Sequence, residues 1–578
     1  MGGRRNGHER VSTPGAAPPP SPPPSPPGEP SGQPETMRDP AKGGDDMATL
    51  AKGGRTNAIG FVIRLIARLP FLFIGYRLYG VEEMGRFASA FVIIELVALF
   101  CALGEKRGLA QRLTQWTRWQ GGRQRSAHNA GDLQTIDPVT GPEAQDDGDD
   151  SPESLQAKTN LVFDGLLASL LVTVPVAALL LAFPAIMFPN GTNSPLDIWM
   201  IAALPGYALT EILLAAQAYR YDIATTVRAR AIVEPWAISI AAGAFLLVPG
   251  IGDGGLALAY IVSIYAGLAT AAWSFGRTYG RPRGWRPSAS YLSGMVSRAL
   301  PLVGADVIER GTRLIDVVIL GYFVSPVTVG TYFFAQQIAS LPQKLKTSFE
   351  PILSPVITRN LKSGNMAAIA KQVRQVGFWI IALQLGIALA LGIPGEAVMG
   401  LGGPQVVGGT AALALMLAAE VVASMAVVSE GVLVYIARKR NLAISVGVIT
   451  MQAVLTIALI LLAKESGLNE GFQAAGAAGA LFIVLAASSV IKAMVLRTLL
   501  KEPVSNWRWA LVYAAAPAVV VGFLATQLPE WAELLFGVPA ILAAYLWVIW
   551  KRGFGEEDKV LFRKNVVPVP ASEANSKA

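Results

Sequence analysis

The stretch DVIERGTRLID, residues 306–316, places five charged side chains inside an otherwise apolar run that extends from Ala299 to Phe323. The run is long enough to cross a bilayer, which takes about 20 helical residues. At about 100° per residue, the five charges fall within about 120° of one helical face. They are Asp306, Glu309, Arg310, Arg313 and Asp316. Because each charge costs roughly 2.5–3.5 kcal/mol at mid-membrane, we expect this face to contact protein or water rather than lipid.

Two interpretations of this charged face are open. The spacing of four residues allows ion pairs between Asp306 and Arg310 and between Glu309 and Arg313, which predicts a structural ladder of charges. Charges on one face of a membrane helix are also typical of a transport cavity.

The composition of the chain is that of a polytopic membrane protein. It has 578 residues, of which 52% are hydrophobic and 15% are charged. Hydropathy predicts an all-α protein with about fourteen transmembrane helices. The spans are predicted near residues 57–78, 86–104, 159–187, 198–219, 231–249, 255–275, 299–323, 329–352, 372–394, 407–436, 441–463, 472–496, 509–526 and 533–550.

The loops between these spans alternate in charge, and this alternation predicts the topology. One set of loops is basic throughout: Lys106–Arg125, Arg220–Arg230, Arg277–Arg298, Arg359–Arg374, Arg438–Arg440, Arg497–Arg508 and Lys551–Lys564. The opposite set contains one Lys and no Arg: Phe188–Asp197, Gly250–Gly254, Pro394–Gln405, Lys464–Gly471 and Thr526–Glu533. The positive-inside rule therefore places both termini in the cytoplasm. The net charge of +8 reflects this pattern and does not indicate a nucleic-acid partner.

The chain divides into two predicted lobes with flanking segments. Residues 1–56 form a Pro-rich cytoplasmic tail expected to be disordered, and residues 551–578 form a second tail. The N-lobe is residues 57–276, with a cytoplasmic loop at 105–157, and the C-lobe is residues 299–500. Two extra spans occupy residues 501–550.

An internal repeat supports the division into lobes. A shift of 245 positions aligns Arg68 with Arg313 and Gly85 with Gly330, and it also aligns Leu69, Ile74, Phe87 and Ala90 with similar residues. Six spans separate the copies, so both copies begin on the same side of the membrane. The sequence therefore predicts two pseudo-symmetric six-helix lobes around a central cavity.

Several further side chains are candidates for the cavity. Arg64 and Arg68 lie four residues apart in the first span, and the planar guanidinium group binds phosphate well; snorkelling to the membrane surface is the alternative for Arg64. Gln336 is a second candidate for contact with a substrate. Glu95, Glu420 and Glu430 lie in apolar spans, where they can orient an arginine or bind a coupling cation or proton. We expect structural pairing for the remaining carboxylates in spans, Asp164, Glu211 and Glu234.

Signatures of soluble enzymes are missing from the sequence. There is no phosphate-binding loop of the Walker type, no GxSxG and no HExxH, and the histidines are His8 and His128. The single cysteine, Cys101, rules out an intrachain disulfide. We therefore expect no catalytic residues, no metal site and no cofactor, with a coupling ion left open.

Two segments carry a resemblance to a known family. The first is Arg64–Ala90, with Tyr79-Gly80 and Gly85-Arg86-Phe87; the second is Asp306–Pro355, with Arg313-Leu314-Ile315-Asp316, Leu320-Gly321, Val329-Gly330-Thr331-Tyr332 and Ala335. Over about residues 57–500 the chain resembles the polysaccharide-exporting, Wzx-type flippases of the multidrug/oligosaccharidyl-lipid/polysaccharide exporter superfamily.

The resemblance implies a two-lobed bundle in the bacterial inner membrane. Such a protein moves a polyprenyl-diphosphate-linked oligosaccharide from the cytoplasmic to the periplasmic leaflet, by alternating access, for lipopolysaccharide or exopolysaccharide assembly. Its partners are the lipid-linked oligosaccharide, membrane lipids, and a polysaccharide polymerase and glycosyltransferases.

The resemblance also implies roles for individual residues. Arg68 and Arg313 lie on opposing walls near the diphosphate, with Arg64 and Arg310 beside them. Glu309, Asp316 and Glu95 orient these arginines or bind a cation. Replacement of Arg313 by Ala at normal membrane levels is then expected to abolish glycan export. A flippase for lipid-linked peptidoglycan precursors and a cation-coupled multidrug antiporter of the same superfamily are the alternatives.

Overall fold

The computed structural model describes residues 67–104, 108–109, 112–113, 152–220, 222–347, 357, 360–361 and 364–555. The predicted tail at residues 1–56, Arg64, most of the loop at 105–157 and most of the tail at 551–578 lie outside the described residues. In the described part of the chain, every regular element is a helix, which confirms the predicted fold class.

The first half of the protein consists of six helical segments. The bounds are α1, residues 67–74 followed by a π-helical turn Gly75–Tyr79; α2, Val81–Cys101; α3, Pro152–Ala182; α4, Ala203–Tyr219; α5, Ile223–Val227 continuing to Leu246; and α6, Gly255–Thr278.

The second half repeats this arrangement with two interruptions. The bounds are α7a, Ala289–Gly311; α7b, Ile315–Phe323; α8, Pro326–Thr347; α9, Met366–Gly392; α10a, Thr410–Ser424; α10b, Val427–Ile436; α11, Arg438–Glu465; and α12, Glu470–Leu500. Two further helices follow, α13, Ala510–Ala525, and α14, Glu530–Gly553. Among the described residues, 10 helices are long and apolar enough to cross a membrane, as expected for a multi-pass membrane protein.

The same pattern of neighbours holds the helices of each half together. In the first half α4 packs against α2, α3 and α6, and α5 packs against α6. In the second half α10a packs against α8, α9 and α12, and α11 packs against α12. Helices α13 and α14 pack against each other and against α9. The two halves are therefore pseudo-symmetric, and the last two helices are an addition to the second half.

Helices α2 and α8 cross at two glycines that the repeat aligns. A Cβ atom on Gly85 would lie 1.8 Å from the carbonyl oxygen of Pro326, and one on Gly330 would lie 2.3 Å from that of Val81. The shift of 245 positions also aligns Val81 with Pro326. The two contacts are therefore equivalent when the halves are exchanged, as contacts at a two-fold axis are.

The charged stretch that opens the second half is not one continuous helix, contrary to the sequence prediction. Helix α7a ends at Gly311 and α7b begins at Ile315. The Thr312 hydroxyl donates to the Ile308 carbonyl at 2.9 Å, and back-bonding of this kind bends helices. Asp306 and Asp316 consequently lie on different helices, and the single charged face does not form.

Helix α10 is interrupted in a similar way at Met425 and Ala426. The Ser424 hydroxyl donates to the Val421 carbonyl at 2.6 Å, and the Asn506 amide, from the segment before α13, donates to the Met425 carbonyl at 3.0 Å. Side chains thus satisfy backbone groups that the interruption frees, as a membrane interior requires.

Several loops predicted from their basic residues are partly helical. Helix α5 begins at Ile223, α7a at Ala289, α9 at Met366 and α11 at Arg438, so each includes residues that the sequence analysis placed in loops. The positive-inside rule indicates where a span leaves the membrane, not where its helix ends. Basic residues can therefore lie in the first turns of a helix that extends beyond the hydrocarbon core of the membrane.

Candidate functional site

A buried ion-pair network lies in the first half and is called here the first-half cluster: Tyr207, Glu211, Arg230 and Glu234. The guanidinium of Arg230 donates to the two carboxylate oxygens of Glu234 at 2.9 and 3.0 Å, and to Glu211 Oε1 on α4 at 2.5 Å. It also lies 4.4 Å from the centroid of the Tyr207 ring. One arginine therefore binds two carboxylates, and the ionised cluster carries a net negative charge.

Local backbone geometry places these groups together. Arg230 lies in a π-helical turn, Arg228–Val233, that is inserted in α5; such turns are frequent at functional sites. On α6, Gly267 leaves room for the carboxylate, since a Cβ atom there would lie 2.3 Å from Glu234 Oε1. The predicted structural pairing of Glu211 and Glu234 is confirmed, although their partner Arg230 had been assigned to a loop.

Three of the predicted site residues lie around the first-half cluster. Arg68 on α1 is exposed and lies within electrostatic range of Glu234. Arg310, at the end of α7a, is also exposed and lies within electrostatic range of the Tyr207 hydroxyl, as does the half-buried Glu95 on α2. An arginine from each half thus approaches the same group of charges.

A buried hydroxyl is directed among these charges. Tyr260 on α6 is 4% exposed, and its hydroxyl has no hydrogen-bond partner among the described residues. It lies within electrostatic range of Glu95, Arg230 and Glu234. Because an unpaired buried hydroxyl costs free energy, this position favours contact with water or with a bound polar group.

A different network, called here the second-half cluster, surrounds the interruption of α7: Arg313, Asp316, Tyr332, Gln336 and Glu420. Arg313, between α7a and α7b, forms an ion pair with Glu420 of α10a. The second carboxylate oxygen of Glu420, Oε2, is buried and has no hydrogen-bond partner among the described residues. Arg313 is thereby neutralised by a carboxylate of its own half.

Asp316 and Gln336 stabilise the interruption itself. Asp316 is fully buried and accepts hydrogen bonds from the Tyr332 hydroxyl at 2.5 Å and from the Val317 amide at 2.9 Å. The Gln336 amide donates to the Arg313 carbonyl at 2.9 Å and lies 3.5 Å from Asp316 Oδ1. Gln336 had been predicted to contact the substrate, and Asp316 had been predicted to orient an arginine or bind a cation; their contacts here are with the protein.

A second ion pair in the same half joins α10b to α12. Lys492 Nζ lies 3.0 Å from Glu430 Oε1, and the lysine is buried. Glu430 lies in α10b, on the C-terminal side of the interruption, ten residues after Glu420 in α10a.

The predicted site residues are therefore divided between two places. Arg68, Glu95 and Arg310 lie near the first-half cluster, whereas Arg313, Asp316, Gln336 and Glu420 form the second-half cluster. Asp306 lies on α7a and is half-buried. Arg64 and the side chain of Glu309 lie outside the described residues.

Sequence reasoning missed Arg230, Tyr332 and Lys492. The spacing of four residues between Arg230 and Glu234 was a usable signal for a helical ion pair. Lys492, the one cation inside the apolar span predicted at 472–496, was another. Among the described residues there is no group of three or more His, Cys, Asp or Glu side chains able to hold a metal ion.

Comparison with known proteins gives a clear result for the fold alone. No protein family and no curated protein matches the sequence. The structure is similar to the inward-facing conformation of a multidrug resistance MATE family transporter of the MOP superfamily, with 14% identity and a TM-score of 0.58 over 76% of this chain and 98% of that chain.

Two other solved structures give the same result. A MATE transporter in complex with MaL6 matches with 14% identity and a TM-score of 0.52, over 80% of this chain and 98% of that chain. A mutant of the Vibrio cholerae MATE transporter VcmN matches with 13% identity and a TM-score of 0.51, over 79% of this chain and 100% of that chain. The chain therefore has the fold of the MATE transporters of the MOP superfamily.

Proposed function

We propose that this protein is a transporter that moves a polyprenyl-diphosphate-linked oligosaccharide across the inner membrane by alternating access, for the assembly of a surface or exported polysaccharide. The observation that carries the proposal is the position of Arg68 and Arg310. They come from different halves, both are exposed, and both lie within electrostatic range of the first-half cluster.

The chemistry of these arginines suits a diphosphate. A guanidinium donates two parallel hydrogen bonds to phosphate oxygens and keeps its charge when partly desolvated. Two arginines on separate halves can hold a diphosphate between them. The carboxylate of Glu234, which lies within electrostatic range of Arg68, attracts this arginine and competes with a phosphate for it, so that the substrate can leave again.

We assign Arg313 a smaller role in binding the diphosphate than the sequence suggested. Its side chain is 18% exposed, and its guanidinium is already paired with Glu420. A phosphate would have to displace a buried carboxylate to bind there, and an uncompensated buried charge is costly. Arg68 and Arg310 are exposed at the surface of their helices, and we therefore propose them as the main phosphate ligands.

The deciding experiment measures lipid-linked glycan on the two faces of the membrane in cells that lack the gene and carry a plasmid copy. With the wild-type copy we expect glycan in the outer leaflet. With Arg68→Ala or Arg310→Ala we expect it to accumulate on the cytoplasmic side. Arg298→Ala is the matched control, because Arg298 lies on α7a, is exposed and bonds to Gly294 of its own helix.

The outcome also distinguishes related substrates. Accumulation of a peptidoglycan precursor instead of a polysaccharide repeat unit would identify the lipid-linked peptidoglycan precursor as the substrate. Unchanged levels of both lipid-linked glycans with and without the gene would contradict the proposal.

A cation-coupled multidrug antiporter is the second candidate. It is favoured by the first-half cluster, where two carboxylates face one arginine, and by the names of the structures that share the fold. Cationic amphiphiles are attracted by net negative charge. Efflux of a fluorescent cation from cells, lost in Glu234→Gln and retained in Arg310→Ala, would support this candidate over the flippase.

A further inference from the structure

The two halves are joined by a basic linker, residues 279–288, between α6 and α7a. Residues 277–298 contain five arginines and no Asp or Glu. Three of these arginines lie in the linker, namely Arg281, Arg283 and Arg286. All three are exposed, and none of them forms an ion pair with another residue that the structure describes. The proposed function uses none of these charges, so they are available to a partner of opposite charge.

Two amide side chains of α3 hold the backbone of the linker. The Gln156 amide donates to the Arg281 carbonyl at 3.3 Å, and the Asn160 amide donates to the Arg283 carbonyl at 3.2 Å. Gln156 and Asn160 are four residues apart and therefore lie on one face of the helix. Because these contacts involve the backbone of the linker, they fix its path and leave the guanidinium groups exposed.

Further contacts with α3 fix the linker on either side of these amides. Near its start, the Tyr279 carbonyl accepts a hydrogen bond from the Thr159 hydroxyl at 2.9 Å. Farther along, the Trp285 indole donates to Asp164 Oδ1 at 2.8 Å, and its ring lies 5.6 Å from that of Phe163, measured between centroids. The linker is therefore held against the first half from Tyr279 to Trp285, and its arginines extend from an ordered backbone.

The end of α6 places the linker at the level of the membrane surface. Trp273, near the end of α6, is 66% exposed, and the guanidinium of Arg277 lies 4.7 Å from the centroid of its ring. An exposed tryptophan with an arginine beside it is typical of the boundary between the hydrocarbon core and the headgroups. The linker begins two residues after Arg277, or about 3 Å farther along a helix. Its arginines therefore lie at the depth of the headgroups, on the side that the positive-inside rule predicts to be cytoplasmic.

We propose that the linker, ordered by α3, is a binding surface for the headgroups of anionic phospholipids in the cytoplasmic leaflet. Guanidinium groups donate paired hydrogen bonds to phosphate oxygens, and a net positive surface favours lipids with a net negative charge. Because the backbone is already ordered, binding costs less conformational entropy than it would on a flexible loop. The proposal concerns the surrounding lipid and not the transported molecule, so it does not rest on the proposed function.

Lipid retention by the purified full-length protein tests the proposal. The protein is held in detergent micelles that contain phosphatidylglycerol and phosphatidylcholine in equal amounts, and mass spectrometry of the intact protein counts the lipids of each kind that stay bound. We expect the wild type to retain mainly phosphatidylglycerol. Each arginine near an anionic surface should contribute about fivefold to this preference. Joint replacement of Arg281, Arg283 and Arg286 by Gln should therefore lower it by about tenfold or more.

The matched control removes the same charge from another basic segment. Arg438, Lys439 and Arg440 begin α11, are exposed, and are predicted to lie on the same side of the membrane. Consecutive side chains of a helix point about 100° apart, so these three do not converge on one headgroup. Their joint replacement by Gln should leave the preference for phosphatidylglycerol close to that of the wild type.

A second variant leaves the charges in place and loosens the linker. Gln156→Ala with Asn160→Ala removes the hydrogen bonds to the Arg281 and Arg283 carbonyls without changing the net charge. We expect the preference for phosphatidylglycerol to fall by a smaller factor than in the arginine variant. Replacement of the exposed arginines should have little effect on folding, so the comparison reports on lipid binding.

Three results would overturn the proposal. The first is equal retention of the two lipids by the wild type. The second is an equal loss of preference in the linker variant and the α11 control, because binding would then follow net charge alone. The third is a full preference in Gln156→Ala with Asn160→Ala, because the ordered backbone would then have no part in binding.

The same micelles distinguish phospholipid from the transported lipid. If added polyprenyl diphosphate displaces phosphatidylglycerol from the wild type and is not retained by the arginine variant, the linker is an entry site for a polyprenyl-linked substrate, and the phospholipid proposal is wrong. Continued retention of phosphatidylglycerol would support it. Absence of glycan export by the wild-type protein would overturn the proposed function and leave these measurements unchanged.

Discussion

Arg68 and Arg313 occupy the same position of the repeat and have different surroundings. Arg68 is exposed on α1, near the first-half cluster. Arg313 lies at the interruption of α7, paired with Glu420 and with its carbonyl bound by Gln336. The halves have kept the same helix packing while their charges have diverged. A shared position in the repeat therefore does not imply a shared role.

The largest expected effect is on stability, at Arg313. Arg313→Ala leaves Glu420 buried without its partner, which should lower the free energy of unfolding by about 3–5 kcal/mol. Thermal unfolding in detergent measures this, with Arg68→Ala as the matched variant at the equivalent position, where we expect little change. The double replacement Arg313→Met with Glu420→Met should recover most of the loss.

This expectation revises the one based on sequence, in which Arg313→Ala abolished export at normal membrane levels. We now expect reduced membrane levels for this variant and normal levels with lost export for Arg68→Ala. Equal stability of Arg313→Ala and Arg68→Ala would contradict the structural role that we assign to Arg313 alone.

The second effect concerns Gly267, which makes room for the first-half cluster. Gly267→Ala places a Cβ atom 2.3 Å from Glu234 Oε1 and 2.8 Å from its Cγ, so the carboxylate must move away from Arg230. We expect a loss of about 1–3 kcal/mol. Gly276→Ala on the same helix has nothing within 4 Å of its Cβ position and should not lower the melting temperature. A similar melting temperature for both variants would show that Glu234 adapts without cost.

A smaller effect is expected at Gln336, which caps the interruption of α7. Gln336→Ala removes the hydrogen bond to the Arg313 carbonyl, and hydrogen bonds between membrane helices contribute about 1 kcal/mol or less. The thermal unfolding of Gln336→Ala, compared with that of the neighbouring Gln337→Ala, measures this. If the two variants unfold alike, Gln336 does not stabilise the interruption, and a role toward the substrate becomes the better explanation.

Sequence patterns predicted the fold because each span is a local property of the chain. About twenty apolar residues with basic ends identify a helix without knowledge of its neighbours, and the repeat at Gly85 and Gly330 aligned two residues that meet in the structure. The interruption of α7 was not predictable in this way. Thr312 was a local signal for a bend, but Gln336 and Glu420, which hold the interruption in place, are distant in sequence and their contacts are fixed only by packing.

The site was predicted less well for the same reason. The periodicity of residues 306–316 placed Arg310 and Arg313 on one face, but in the structure Arg310 lies within electrostatic range of Tyr207 in the first-half cluster, whereas Arg313, beyond the end of α7a, pairs with Glu420. Arg230 was not identified as a site residue, because a basic residue near the end of a span was interpreted as a sign of membrane topology. Its partner Glu234 was expected to be paired.

The smallest expected effect is a pH dependence that distinguishes the helix starts of the two halves. Asp222 caps α5, accepting hydrogen bonds from the Thr225 amide and hydroxyl, and the hydroxyl hydrogen bond holds the pKa of this carboxyl below its usual value. The stabilisation is therefore present above the pKa of the unfolded state, about 3.9, and is lost as the pH falls through the lower folded-state pKa. In the second half, α9 and α12 are capped by Asn365 and Asn469, which do not titrate.

Melting temperatures from neutral pH down to about pH 3 test this difference. Asp222→Asn keeps an acceptor at the cap and removes its charge, so its melting temperature should lie slightly below that of wild type at neutral pH and approach it as the carboxyl becomes protonated. Asn469→Asp should introduce the opposite change, with a gain at neutral pH that acid removes, because a carboxylate at a helix start interacts favourably with the helix dipole. Parallel pH profiles for wild type and Asp222→Asn would mean that the Asp222 charge contributes nothing to α5, and that this difference between the halves has no energetic consequence.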